Sequence, residues 1–142
     1  MKRTPFGEKV RQRVQHEAAQ ATALEGTTAR LGLFQLHHVD WLHIETPQRD
    51  KGTLKAGAPD YFLLGDGWNA CLEIKAHVKA VKYMGKLSAS QHNFHDRLRR
   101  AGVEVWTAWL PDDLSMINDW LFQKTGIAVN IDGLLAREGA TA

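Results

Sequence analysis

Along the chain the spacing of apolar side chains changes several times, and each change marks an element. Val10, Val14, Ala18, Ala21 and Leu24 recur at helical spacing. They predict a first helix from Thr4 or Gly7 to about Glu25, with Thr4 available as N-cap, Pro5 near the first turn and Gly26 as the stop. From Arg30 to Ile44 apolar residues are too dense for a loop, so one or two strands are expected. Thr46 to Ala56 is polar, contains Pro47 and Gly52, and reads as an exposed loop. Tyr61 to Leu64 and Ala70 to Ile74 are strand-length apolar runs on either side of Gly65, Asp66 and Gly67, the pattern of a β-hairpin.

Beyond Lys75 a lysine-bearing loop is expected, spread over Lys79, Lys82 and Lys86 and containing Gly85. Ser88 with Gln91 three residues on forms a capping box that opens a second helix to about Arg100, closed by Gly102. Phe94, Leu98 and Ala101 supply its apolar stripe. Val103 to Trp109 alternates as a strand, and a third helix carrying Leu114, Ile117, Leu121 and Phe122 runs to Lys124, with Gly126 as its stop. Ile127 to Ile131 would form a last short strand. The order helix, strand, hairpin, helix, strand, helix predicts a single-domain α/β sandwich over residues 1–142, a mixed sheet with helices on its faces.

Composition narrows the class. At 142 residues and 44% hydrophobic content the chain can bury a core without staples. Its one cysteine, Cys71, excludes an internal disulfide and a cysteine-rich zinc site, and reads as a small buried residue. No apolar run reaches membrane-spanning length and the start lacks an apolar signal core, so a soluble cytoplasmic protein without a membrane partner is expected. The net charge of +2 is compatible with nucleic acid but does not point to it.

The hairpin carries the chemistry. If Asp66 and Gly67 are the two residues of a type I′ turn, Asp60 lies opposite Glu73. Opposed side chains on one face have Cβ atoms roughly 4.5–5.5 Å apart, close enough for two carboxylates to share a divalent ion. Alternation puts Lys75 and Cys71 on the face of Glu73, and Leu72 and Ile74 on the other. Two carboxylates that close repel unless protonated or bridged, and hard oxygen donors on a half-open site suit Mg²⁺. The Lys75 amine could then orient or deprotonate an attacking water, or offset charge developing on phosphorus. Glu17 falls in the middle of the first helix's apolar stripe, where it is a misfit or a site residue, unless it sits at the stripe edge and snorkels or pairs with Arg13 one turn earlier. His37, His38 and His43 lack the spacing of a zinc motif and read as polar residues of a half-buried strand; His92 and His95 read as surface histidines.

These residues resemble a known pattern. Pro59-Asp60 followed by Glu73-Ile74-Lys75 resembles the PD-(D/E)xK nuclease signature. More narrowly, Gly57-Ala58-Pro59-Asp60, the E-x-K and Lys86-Leu87-Ser88 running to Gln91 resemble the VRR-NUC family of replication-repair nucleases, over roughly Glu8 to Gly126. The resemblance implies a Mg²⁺- or Mn²⁺-dependent DNA endonuclease. Asp60, Glu73 and the Ile74 carbonyl would hold metal with help from a first-helix glutamate, matched in position by Glu17 with Glu8 and Glu25 as competitors; Lys75 would act on the nucleophile, and Gln91 would stand near the attacking water or the phosphate. It also implies a homodimer and structure-selective cutting of Holliday junctions or flaps in repair or recombination. DNA contacts are expected from Arg49, Lys51 and Lys55 before the hairpin and from Lys79, Lys82 and Lys86 after it. Two alternatives are a nucleic-acid-binding or protein-interaction module that has lost turnover, and a restriction-type endonuclease, for whose sequence-reading appendage the chain leaves little room.

Overall fold

A computed structural model describes residues 5–26, 31–44 and 56–132 of the chain. Its elements are α1 (Pro5–Glu25), α2 (Leu33–Leu36), β1 (Asp40–His43), β2 (Tyr61–Leu64), β3 (Asn69–Val78), β4 (Tyr83–Met84), α3 (Ala89–Arg100), β5 (Val105–Leu110) and α4 (Leu114–Thr125), with a 3₁₀ turn at Lys79–Val81.

β3 is the axis of a five-stranded mixed sheet. β1 runs antiparallel to β2, β2 antiparallel to β3, and β4 antiparallel to the end of β3, while β5 lies parallel along the other edge. A parallel neighbour needs a long crossover, and α3 supplies it between β3 and β5.

Alternation divides the sheet residues cleanly. Tyr61, Leu63, Ala70, Leu72, Ile74, Ala108 and Leu110 point to one face and form the main core with Leu24 of α1, Leu33 and Phe34 of α2, and Ile117 and Leu121 of α4. Phe34 packs against Trp41 and Tyr61 with ring centroids 5.7 and 5.5 Å away. On the opposite face α3 covers Cys71 and Glu73, so helices flank the sheet on both sides as the sequence suggests. Among the described residues no helix is long and apolar enough to cross a membrane.

Four expectations are corrected. Leu33–Leu36 coils into a short helix, not a strand, because Leu33, Phe34 and His37 are the buried positions and their spacing is helical. The segment after Lys75 is not a loop: β3 continues to Val78, turns through Lys82 in the left-handed region (φ 52°), and returns as β4. Ile127 to Ile131 pairs with no strand among the described residues; it is held by Asn118, whose side-chain amide donates to the Val129 carbonyl at 2.8 Å. Val14, expected in the buried stripe of α1, is 53% exposed. The Thr4 cap, the side chains of Glu8 and Val10, and nearly all of the Thr46–Ala56 loop lie outside the described residues.

Candidate functional site

The hairpin register is the one the sequence predicts: Tyr61 pairs with Leu72 and Leu64 with Asn69. Continued one step, it sets Asp60 against Glu73. The turn itself differs, since Gly67 has positive φ (+81°) and Asp66 does not, a type II pattern in place of I′.

β2 and β4 occupy the same edge of β3 but do not meet. β2 ends its pairing at Leu72, and β4 begins at His77 with Gly85 N–H donating to the Ala76 carbonyl at 2.9 Å. The stretch between them is a notch in the sheet. Asp60 fills it: its Oδ2 accepts from the Ile74 N–H at 2.7 Å, and its own N–H donates to Glu73 Oε2 at 3.2 Å. In an extended strand the N–H and C=O of one residue point to the same edge, so the Ile74 carbonyl faces the notch too.

Glu73 is 1% exposed. Burial, then the hydrogen bond and charge of Asp60, push its carboxyl up to about 9, against a smaller lowering by Lys75. Burial beside a second acid therefore favours the protonated form of the Glu73 carboxyl.

The remaining oxygen of Glu73 is engaged from α3. Gln91 donates its amide to Glu73 Oε1, while its Oε1 accepts from the Ser88 N–H at 2.8 Å and its N–H donates to Ser88 Oγ at 3.1 Å. The capping role and the site role of Gln91 hold together in one conformation. Gly57 explains how the two come close. With φ at +92°, it lies so near α3 that an added Cβ would sit 2.2 Å from the Ser90 carbonyl oxygen. Its lack of a side chain lets the Gly-Ala-Pro-Asp segment run directly beneath the helix start.

Glu17 enters from α1. It lines a cleft of about 230 Å³ with Asp60, Tyr61, Ile74 and His43. Burial raises its carboxyl, with the Lys75 and Arg13 charges opposing, and its Oε1 is buried without a hydrogen-bond partner among the described residues. Glu25 is not a competitor, for it accepts from the Tyr61 hydroxyl at 2.5 Å. Lys75 is half-buried, its stem against Gly85, with no carboxylate within salt-bridge distance among the described residues. The metal-donor atoms that face the notch among the described residues are oxygens, with the His43 imidazole in the adjoining cleft. Among the described residues no three His, Cys, Asp or Glu side chains gather tightly enough to enclose an ion; Asp60 is bonded to Glu73 through its N–H, and Glu17 lines the adjoining cleft with Asp60.

Lys79, Lys82 and Lys86 are exposed around the β3–β4 turn, whereas Arg49, Lys51 and Lys55 lie outside the described residues. His95 was expected at the surface and is 1% exposed, with neither ring nitrogen partnered among the described residues. It shares a stripe of α3 with Gln91 and Arg99, whose guanidinium donates to the Val105 carbonyl at 3.2 Å. The sheet-facing side of α3 is thus largely polar, and Phe94 and Leu98 are only half-buried. Spacing could have shown this: Gln91, His95 and Arg99 recur every fourth residue, from a glutamine already tied to the site.

Comparison of the chain with protein-family models, with characterised proteins and with solved structures gives no match in any of the three.

Proposed function

We propose that the chain is a Mg²⁺- or Mn²⁺-dependent DNA endonuclease of the PD-(D/E)xK type, with VRR-NUC nucleases as the nearest pattern. The observation that carries the reading is a buried carboxyl, Glu73, that accepts from the Asp60 N–H and has the Asp60 carboxyl beside it at a break in the sheet. An apolar site bearing two acids is costly unless a proton or a cation relieves their repulsion. The donors fit a small hard cation: Asp60, Glu73 and the Ile74 carbonyl face one notch, and a Glu17 oxygen without a partner among the described residues lines the adjoining cleft with Asp60 and Ile74. Such an ion would polarise a bound phosphate and lower the pKa of a water.

The chain's own groups do the rest. Gln91 fixes the Glu73 carboxyl in one orientation. Lys75, unpaired among the described residues, offers its amine to the water that attacks phosphorus as the bond to the leaving ester oxygen breaks. A dimer would bring two such sites to a branched DNA, a junction or a flap.

Purified protein is expected to cut DNA in Mg²⁺ and to stop in EDTA. Lys75→Ala should slow cutting by about 10²–10⁴-fold, and Asp60→Ala should abolish it with the fold retained by circular dichroism. Cutting that persists in EDTA would exclude the metal mechanism. A binding module without turnover is the second reading. A panel of junction, flap, single-strand and duplex DNA that is bound and never cut would select it.

A further inference from the structure

Past the notch, β3 ends in a second cleft of about 330 Å³ that plays no part in the chemistry above. His77 and Lys79 from the strand end, and His16 and Gln20 from α1, surround it, and Leu110 and Pro111 give it an apolar floor. Asp112 borders it as well.

The arrangement is built, not scattered. His77 is hydrogen-bonded through Nδ1 to Asp112 Oδ2, and the other Asp112 oxygen lies 3.8 Å from the Lys79 amine. Both oxygens of the one acid at the rim are therefore directed at His77 and Lys79. The bond fixes the imidazole by one nitrogen and leaves Nε2 without a partner among the described residues. Near it stand an ammonium, a second imidazole and an amide. No carboxylate other than Asp112 lines the cleft among the described residues. A rim of one ammonium, two imidazoles and an amide over an apolar floor offers hydrogen-bond donors to a phosphate with its sugar attached.

His77 is two residues beyond Lys75, roughly 7 Å further along the strand, so a chain positioned at the notch would have a neighbouring phosphate in reach. We propose that this cleft binds a nucleotide of the substrate strand next to the one cut, its phosphate on His77 and Lys79 and its sugar against Leu110 and Pro111. The proposal deepens the nuclease reading and rests on it for the identity of the strand, but the cleft can be tested without turnover.

The measurement is fluorescence anisotropy of a labelled DNA oligonucleotide in EDTA, on the Asp60→Ala background, over a range of salt. Lys79 is 75% exposed at its side chain, so Lys79→Ala should leave the fold intact. Lys79→Ala and His77→Ala together should weaken binding about tenfold and lower the log–log salt slope by about 1–2 units. Lys79→Ala alone should account for about one unit of slope. Unchanged affinity and slope in Lys79→Ala and in the pair would overturn the proposal. So would an equal loss from Arg100→Ala, exposed at the far end of α3 from Gln91, because the effect would then be general charge. Cleavage by the wild type with unaltered binding in the variants removes the cleft and leaves the nuclease. Binding that depends on His77 and Lys79 in a protein that never cuts removes the nuclease and leaves the cleft.

Discussion

Gln91 and Glu73 are joined across the interface of α3 and β3 by a hydrogen bond from the glutamine amide, and that same glutamine closes the capping box of its helix. One side chain therefore sets both where the helix begins and how the buried acid points. Gln91→Ala should remove both side-chain contacts at once. Only half of the box goes, since the residue-91 backbone N–H still donates to Ser88 Oγ while the Ser88 N–H loses its acceptor, at a cost of about 0.5–1.5 kcal/mol, and the freed carboxyl should lower metal-dependent activity by about 10–100-fold. Gln91→Glu separates the two. It can still accept from the Ser88 N–H, yet it sets a third carboxylate against Glu73, so thermal melts should hold near the wild type at acid pH while cleavage falls. Equal activity in Gln91→Ala would reduce the residue to a cap.

The proton on Glu73 makes stability depend on pH in a stated direction. Its folded-state value, about 9, lies above the ordinary 4.5, so the folded chain binds a proton that the unfolded chain releases. That contribution is fully present below the ordinary value and is lost as pH rises through the window to about 9, by at most about 1.4 kcal/mol per pH unit. Metal-free protein should melt lower at pH 8 than at pH 6. Mg²⁺ or Mn²⁺ should restore more stability at pH 8, where less work is needed to remove the proton. Glu73→Gln should flatten both trends, and a pH-independent melt in the wild type would mean that the acid is hydrated.

Gly57 bears on the site without carrying any chemistry. An alanine there would need the left-handed backbone and would drive its Cβ to 2.2 Å from the Ser90 carbonyl oxygen and 2.7 Å from the Gln91 nitrogen. Those neighbours are backbone, so the helix start must move and Gln91 must leave Glu73. Gly57→Ala is expected to cost about 1–3 kcal/mol in denaturant melts and to lose activity with every catalytic side chain still present. Wild-type stability would show that the segment can slide away from α3.

Local pattern carried much of this into the sequence. The Asp60–Glu73 opposition follows from a two-residue turn and needs no tertiary information, and the Ser88–Gln91 box is equally local. What escaped depends on contacts distant in the chain. The β4 return is the local exception: Tyr83 and Met84 pair with Val78 and His77 through a left-handed turn at Lys82 that no glycine or asparagine announces, so the stretch from Ala76 read as a loop. The contact between Gly57 and α3 joins segments more than thirty residues apart, and single-residue glycine signals do not say what approaches them. His95 escaped for a related reason. The face of α3 that meets the sheet is polar, and reading burial from apolar spacing chose Phe94 and Leu98 instead.

Glu17 tests how far the site extends beyond the contacting pair. Its buried Oε1 has no partner among the described residues, and burial holds its carboxyl above the usual carboxylate range. A group so placed destabilises the metal-free fold at neutral pH, because its charged form is poorly solvated there. Glu17→Gln should raise the melting temperature in EDTA at pH 8, since the amide carries no charge to desolvate. If Glu17 is a ligand, the same change should raise the Mg²⁺ concentration needed for half-maximal cutting and remove part of the metal-induced stabilisation. A gain in stability with the Mg²⁺ dependence unaltered would assign Glu17 to the packing of α1 on β3. The ion would then be held by Asp60, Glu73 and the Ile74 carbonyl without it.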